Sequence, residues 1–320
     1  MDYRYLGKSG LKVSAVGVGC NNFGGACDQA ATTTVVNKAL DGGITLFDTA
    51  DYYGQGKSET FLGKALGVRR KDVIIATKFG LAMGNTFDLR GGGSRDYILR
   101  AVEASLRRLG TDYIDLYQLH VPDADTPVEE TLSTLDTLVR QGKVRYIGHS
   151  NFTGGAAADA AWTAKTKNLT PFVSAQNRYS ILTRDIERDL VPACQLHGVG
   201  VLPYFPLESG LLSGKYKRGG KADSDTRFGR WAASMIGQFA SDQKFTQAEK
   251  LQNLAVDSDC SILDVAVGWL LSRPYIGSVI AGATKPEQIE QNAAAAAWRP
   301  TADQAKQIDA ISPPPPGPFG

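Results

Sequence analysis

Four side chains in this sequence have the chemistry of a proton-transfer site: Asp48 in FDTADYYG, Tyr53 in the same stretch, Lys78 in ATKFG and His120 in LYQLH. Asp48, Lys78 and His120 each close a different apolar run. Ionisable groups there would cost desolvation energy unless they are paired. A free tyrosine titrates near pH ~10 and is a poor acid at neutrality. A neighbouring ammonium favours the phenolate, and a carboxylate keeps that ammonium charged and aimed, so Lys78 is expected to lower the pKa of Tyr53 and Asp48 to orient Lys78. A histidine beside them can donate a hydrogen bond to a substrate oxygen. Such a group protonates an oxygen as negative charge develops on it. Taken singly, each residue reads more readily as a buried ion pair or a satisfied core histidine; as a set they read as catalytic.

The elements that must position them follow a rhythm. Apolar or β-branched runs begin near 15, 45, 73, 114, 144, 173, 199 and 278 (SAVGVG, ITLFD, VIIAT, YIDLYQLH, VRYIGHS, FVSAQ, VGVLPYF, IGSVIAG). Segments with helical spacing lie between them, such as TTVVNKAL, YILRAVEASLRRL, VEETLSTLDTLVR and RDLVPACQL. Gly42, Gly67, Gly110, Gly142 and Gly198 stand just before the following run, where a left-handed residue closes a helix. Alternating strands and helices imply parallel pairing through right-handed crossovers. Eight such units predict one α/β domain, a (β/α)8 TIM barrel over 1–311, with a Pro-rich tail at 312–320 that is neither helix nor sheet interior. The opening RYLGKSGLKVS predicts a β-hairpin that plugs the bottom of the barrel. The interval from 199 to 278 exceeds one helix, so an inserted loop is expected between the seventh and eighth strands. A doubly wound dinucleotide fold would need a Gly-rich fingerprint after its first strand; Gly17-x-Gly19-x-x-Asn22 lacks the third glycine and runs into NNFGG instead of a helix.

Composition narrows the function classes. With 320 residues, 35 basic and 33 acidic side chains, the formal charge is +2, which removes the electrostatic drive of a nucleic-acid or membrane-surface binder. Cys20, Cys27, Cys194 and Cys260 form no CxxC pair, and there are only three histidines, so no metal site is expected and the cysteines read as reduced thiols. The start of the chain lacks a signal-peptide pattern and no segment approaches the ~20 apolar residues of a membrane span; a cytoplasmic location is expected, while oligomeric state is not legible.

At the level of whole stretches the chain resembles the aldo-keto reductase family from near residue 3 to about 310, in the bacterial branch that is similar to potassium-channel beta subunits and sugar reductases. The matching stretches are GLKVSAVGVG, FDTADYYGQGKSE, ATKFG, SLRRLGTDYIDLYQLH, GKVRYIGHSN, AQNRYSIL, YFPLESGLLSGKY and PEQIEQN. The resemblance implies an NADP(H)-dependent oxidoreductase moving a hydride between nicotinamide and a carbonyl or hydroxyl carbon of a small aldehyde, ketone or sugar. Tyr53 would be its general acid/base, Lys78 and Asp48 would activate Tyr53, and His120 would orient the carbonyl. It also implies NADPH/NADP+ (NADH being the alternative) bound across the barrel mouth: Ser150, Asn151 and Gln176 on the carboxamide, Tyr204 stacked on the nicotinamide, and the stretch Leu207 to Lys215, with Gly210, over the pyrophosphate. Lys215 and the Arg227/Arg230 region are candidate phosphate contacts.

Gly282, Thr284, Lys285, Gln288 and Asn292 fall at the adenosine end, with a helix expected from Pro286 whose N-terminus suits an anion. Here Gly282 stands where a lysine is frequent and Gln288 where an arginine often meets a 2′-phosphate, so Lys285 is the expected compensating charge. Two other readings stay open: an NAD-dependent sugar or alcohol dehydrogenase, and a cofactor-sensing regulatory subunit with little turnover. Asn22, Phe23 and Tyr52, with Val121 and Pro122, are the expected substrate-pocket positions. Around them, His149 is read as packing, His197 as a helix C-terminal residue, Arg178 as a solvent ion-pair partner in preference to a substrate contact, and the AAAAAW run as plain helix former.

Overall fold

A computed structural model of the chain describes residues 1–84, 90–220, 229 and 239–316. Its first two strands, β1 (Tyr3–Tyr5) and β2 (Lys12–Ser14), pair antiparallel with Tyr3 opposite Ser14. Eight more follow: β3 (Val16–Gly19), β4 (Leu46–Asp48), β5 (Ile74–Phe79), β6 (Ile114–Leu119), β7 (Val144–Ser150), β8 (Ser174–Arg178), β9 (Gly200–Tyr204) and β10 (Val279–Gly282). These eight form one sheet in the order β10-β3-β4-β5-β6-β7-β8-β9, parallel throughout. The ends meet where Val201 donates to the Tyr275 carbonyl and Gly277 donates to that of Val201, at 2.8 and 3.0 Å. The result is a (β/α)8 barrel with a hairpin before it and an excursion between β9 and β10.

Period-two alternation decides what each strand residue sees. Phe47, Ile75, Tyr117, Ile147, Ala175 and Val201 face outward into the core shared with the helices. Their alternates Leu46, Ala76, Leu116, Leu202 and Ile280 face inward and meet Leu6, Leu11 and Val13 of the hairpin, which fill the barrel floor. Leu6 is wholly buried there; a leucine taken out of water contributes about 1.5–3 kcal/mol. Nearer the carboxyl ends the inward layer turns polar: Asp48, Lys78 and Gln118, each two residues beyond Leu46, Ala76 and Leu116, with Ser150 on β7 and Gln176 on β8, all buried. The carboxyl end of the barrel is therefore where the chemistry collects.

Helices cover the outer face. Arg95–Leu109 shows why: Ser94 caps its N-terminus by accepting from Tyr97 N, and Ile98, Ala101, Val102, Ser105, Leu106 and Leu109 make one buried stripe. Its end falls at Gly110, left-handed at φ 65 as expected of that glycine. Gly42 differs. Its φ is −80, and the left-handed position is taken by the next residue, Gly43, at φ 76. The alanine run also differs from expectation, because the helix Pro286–Ala295 ends inside it. Gly17 packs between Ile280 and Leu46 in the barrel wall, and the first helix begins only at Gln29, so the Gly17/Gly19 pair opens no dinucleotide turn. Among the described residues no helix is long and apolar enough to cross a membrane.

Candidate active site

The polar inward layer is tied together across neighbouring strands. Lys78 Nζ donates to Asp48 Oδ2 at 2.7 Å, to the Thr49 carbonyl at 2.9 Å and to the Tyr53 hydroxyl at 3.4 Å. Asp48 Oδ1 accepts from Gln176 Nε2 at 2.7 Å and from Gln118 Nε2 at 3.5 Å. The His120 ring meets that of Tyr53 edge-on, with centroids 5.8 Å apart. Strand ends supply Asp48, Lys78 and His120; Tyr53 comes from the turn after β4, whose Gln55 and Gly54 have left-handed φ. The four residues expected to act together therefore do meet. Gln118 is the partner that the sequence did not single out: it sits on β6 opposite Lys78 in register, and only strand pairing reveals it.

Burial sets the protonation states. It opposes the charge on Lys78, yet Asp48 and Tyr53 beside it hold the lysine above its ordinary pKa, so the ammonium persists. Burial also raises the pKa of Tyr53, and the pull of Lys78 does not outweigh it. This reverses the direction expected from the sequence: desolvation of a phenolate exceeds one cation's attraction at this depth. The tyrosine is consequently a protonated donor at neutral pH. Burial, followed by Lys78, drives His120 down to about 3, so its imidazole is neutral and offers a hydrogen bond, not a charge.

These groups open onto a cavity of about 650 Å³ lined by Asp48, Tyr53 and His120 at one end and by Gly282, Lys285 and Asn292 at the other. Lys78 lies behind that wall, fully buried. All of Ser150, Asn151, Gln176, Tyr204, Leu207, Gly210, Lys215, Gly282, Thr284, Lys285, Gln288 and Asn292 line the cavity. Several brace each other: Tyr204 Oη donates to Asn151 Oδ1 at 2.7 Å, Asn151 Nδ2 to the His120 carbonyl at 2.9 Å, and Ser150 Oγ to the Gln176 carbonyl at 2.7 Å. Gln288 Oε1 accepts from Thr284 N at 2.7 Å and Lys285 N at 3.2 Å, capping the first turn of its own helix. Gly210 has φ 106, a backbone conformation that favours glycine, and a Cβ there would lie 2.5 Å from Lys215 Cε, so the end of the lysine would have to shift. Arg227 and Arg230 lie outside the described residues.

The expected substrate-pocket positions fare differently. Asn22 lines the cavity but at its far end: a Cβ on Gly282 would lie 3.5 Å from Asn22 Nδ2 and 3.4 Å from Asn21 Oδ1. Phe23 points away into the helix-facing core, and Tyr52 stands 49% exposed outside the cavity, as do Val121 and Pro122. A loop residue's side cannot be read from strand alternation, so nothing local in the sequence fixes which of these positions faces the cavity. His149 faces outward and stacks on Phe152 with centroids 4.4 Å apart, in keeping with packing. Arg178 does form an ion pair, but with the fully buried Glu208 and not in solvent.

One buried acid escaped notice. Asp51, in the turn between Asp48 and Tyr53, is 1% exposed. Burial and the neighbouring Glu59 raise its pKa to about 7, against the pull of Arg108. An unfolded aspartate titrates near ~3.9, so the folded state holds an extra proton between there and pH 7. Stability is thus expected to fall as pH rises through that window. Asp51→Asn is expected to melt several degrees above the wild type at pH 8, with the gap narrowing as pH falls and closing only near pH ~4, by calorimetry. A constant gap across pH would contradict this assignment.

Comparison with known proteins places the chain in a family. The model of the Aldo/keto reductase family matches residues 15–313. A putative voltage-gated potassium channel subunit beta of Schizosaccharomyces pombe is 36% identical, covering 97% of this chain and 92% of its own length. An uncharacterized oxidoreductase of Bacillus subtilis is 37% identical over 90% of this chain and 89% of itself. The L-glyceraldehyde 3-phosphate reductase of Escherichia coli is 34% identical over 91% and 86%. Family members use nicotinamide cofactors, generally NADPH. With its barrel, its polar strand-end layer and a family match that runs almost from end to end, this chain belongs to the aldo/keto reductase family and is an oxidoreductase acting on carbonyl groups.

Proposed function

We propose that this protein is an NADPH-dependent reductase of a small aldehyde, ketone or sugar carbonyl, with Tyr53 as its general acid. The observation that carries this reading is Lys78 Nζ held between Asp48 and the Tyr53 hydroxyl at the cavity wall. The residues fit a nicotinamide cofactor. The cavity runs from the Tyr53 end to the helix Pro286–Ala295, and along it Ser209 Oγ is buried with no hydrogen-bond partner among the described residues, a polar atom in want of a ligand. When bound, the cofactor supplies the hydride.

The chain's own residues do the rest. Tyr53 gives its proton to the substrate oxygen, and Lys78 stabilises the phenolate left behind, which is the species its charge favours. Asp48, braced by Gln176 and Gln118, keeps the ammonium in place. Neutral His120 donates a ring N–H that fixes the carbonyl. In the reverse direction the Tyr53 phenolate takes the proton from an alcohol. Ser150, Asn151 and Gln176 would hold the carboxamide, Tyr204 the nicotinamide face, Leu207, Gly210 and Lys215 the pyrophosphate, and Gly282, Thr284, Gln288 and Asn292 the adenosine.

Preference for the phosphorylated cofactor rests on Lys285, since Gln288 already takes the Thr284 and Lys285 N–H groups. Lys285→Ala is expected to weaken NADPH about tenfold and NADH hardly at all, the size of one charge-assisted contact at a half-open site. Equal losses for both would remove Lys285 from that role.

Fluorescence titration with NADPH and NADH, followed by consumption of reduced cofactor over a panel of carbonyls, tests the whole reading. Binding of neither cofactor would overturn it. Tight binding with no turnover would favour instead the regulatory role that the potassium-channel names of several relatives suggest.

A further inference from the structure

We infer that Glu208 is a positioning residue that staples the cavity wall, and that it sets how long a bound nicotinamide cofactor stays; this rests on the functional reading above. Glu208 is wholly buried just after β9, between Leu207 and the cavity-lining Ser209 and Gly210. Its Oε2 accepts from Arg178 Nη2 at 2.6 Å and from Lys244 Nζ at 2.8 Å, and its Oε1 accepts from Ser180 Oγ at 2.8 Å. Lys244 also donates to Thr183 Oγ1 at 2.9 Å. One carboxylate therefore joins the end of β8, the turn that follows it and the helix Asp242–Asp257. Glu208 and Lys244 are 36 positions apart, so the contact ties the segment just after β9 to the helix Asp242–Asp257.

A second contact joins the same places. The Arg178 guanidinium lies 4.2 Å over the ring of Phe239, and Phe239 meets Phe205 edge-on at 5.2 Å. Phe205 lines the cavity. Arg178 is thus shared between the buried carboxylate and the aromatic pair.

The backbone here needs such a device. Phe205, Glu208 and Ser209 all have left-handed φ, at 53, 45 and 57. Non-glycine residues persist there only where their surroundings over-determine the conformation. The ion network supplies that constraint: although burial opposes its charge, the Arg178 bond and then Lys244 hold Glu208 below the usual carboxylate range, so it is ionised. Without that charge Arg178 and Lys244 lose their common anchor. The strained wall carrying Ser209 and Gly210 is then free to relax away from the cavity.

Release of NADPH from the full-length protein by stopped-flow fluorescence tests this, on wild type, Glu208→Gln and Lys244→Met, with melting temperatures taken alongside. Release is expected to be about tenfold or more faster in Glu208→Gln and several-fold faster in Lys244→Met, which keeps Arg178 in place should the first variant fold poorly. The deuterium isotope effect on a single turnover is expected to stay unchanged, because the reacting groups are untouched. Wild-type protein that binds no NADPH overturns the functional reading itself. Wild-type binding with release within twofold of wild type in both variants, whatever their melting temperatures, overturns the staple alone.

Discussion

Tyr53→Phe is expected to lower carbonyl turnover by about three orders of magnitude while changing cofactor affinity less than twofold. A positioned general acid contributes typically 10²–10⁴-fold, and among the described residues no other protonated group stands where Tyr53 does. His120 is neutral with its pKa near 3, and Lys78 is buried behind the wall, held by Asp48 and the Thr49 carbonyl. The substitution removes one oxygen and keeps the ring. The edge-on contact with His120 and the approach of Lys78 Nζ to 5.0 Å from the ring centroid therefore survive, and the scaffold does not collapse. Steady-state kinetics together with a fluorescence titration separate the two quantities. A loss divided equally between turnover and cofactor binding would mean that Tyr53 shapes the pocket instead of donating the proton.

Lys78→Met carries the second large effect, because it strikes both activity and stability. The ammonium is wholly buried, and so nearly is its partner Asp48. Breaking a buried pair by removing one member typically costs about 3–5 kcal/mol, since the other charge is left uncompensated. Gln176 and Gln118 still donate to Asp48 but bring no charge. Turnover is expected to fall at least as far as in Tyr53→Phe, and urea unfolding should show the stability loss directly. The double variant Asp48→Asn/Lys78→Met removes both charges, so most of the stability is expected to return with none of the activity. A double variant no more stable than Lys78→Met, or a single variant as stable as wild type, would mean that the pair is not the buried ion pair described.

The barrel was legible because its signals are local. Apolar runs of strand length, helical stripes such as Ile98, Val102 and Leu109, and left-handed glycines such as Gly110 are each decided within a dozen residues. Strand ends shared that advantage, which is why Asp48, Lys78 and His120 could be placed together before any contact was known. What stayed hidden was set by distant packing. Gln118 acquires meaning only when its strand pairs with that of Lys78, and Glu208 only when Arg178 and Lys244 converge on it. The turn after β3 sends Phe23 into the helix-facing core and Asn22 to the Gly282 end, a choice with no periodic signature. The direction of the Tyr53 shift failed for a related reason: the sequence offers the neighbouring cation, but the depth of burial that outweighs it is a property of the assembled barrel.

On the proposed mechanism this chain moves a hydride between nicotinamide and a carbonyl carbon with Tyr53 managing the proton. Its most direct test is the mass of the alcohol recovered after an aldehyde substrate is incubated with the protein and nicotinamide cofactor deuterated at C4. The expected result is a single deuterium in the wild-type product and about a thousandfold slower labelling with Tyr53→Phe. Unlabelled product, or labelling at the same rate with and without the tyrosine hydroxyl, would contradict it.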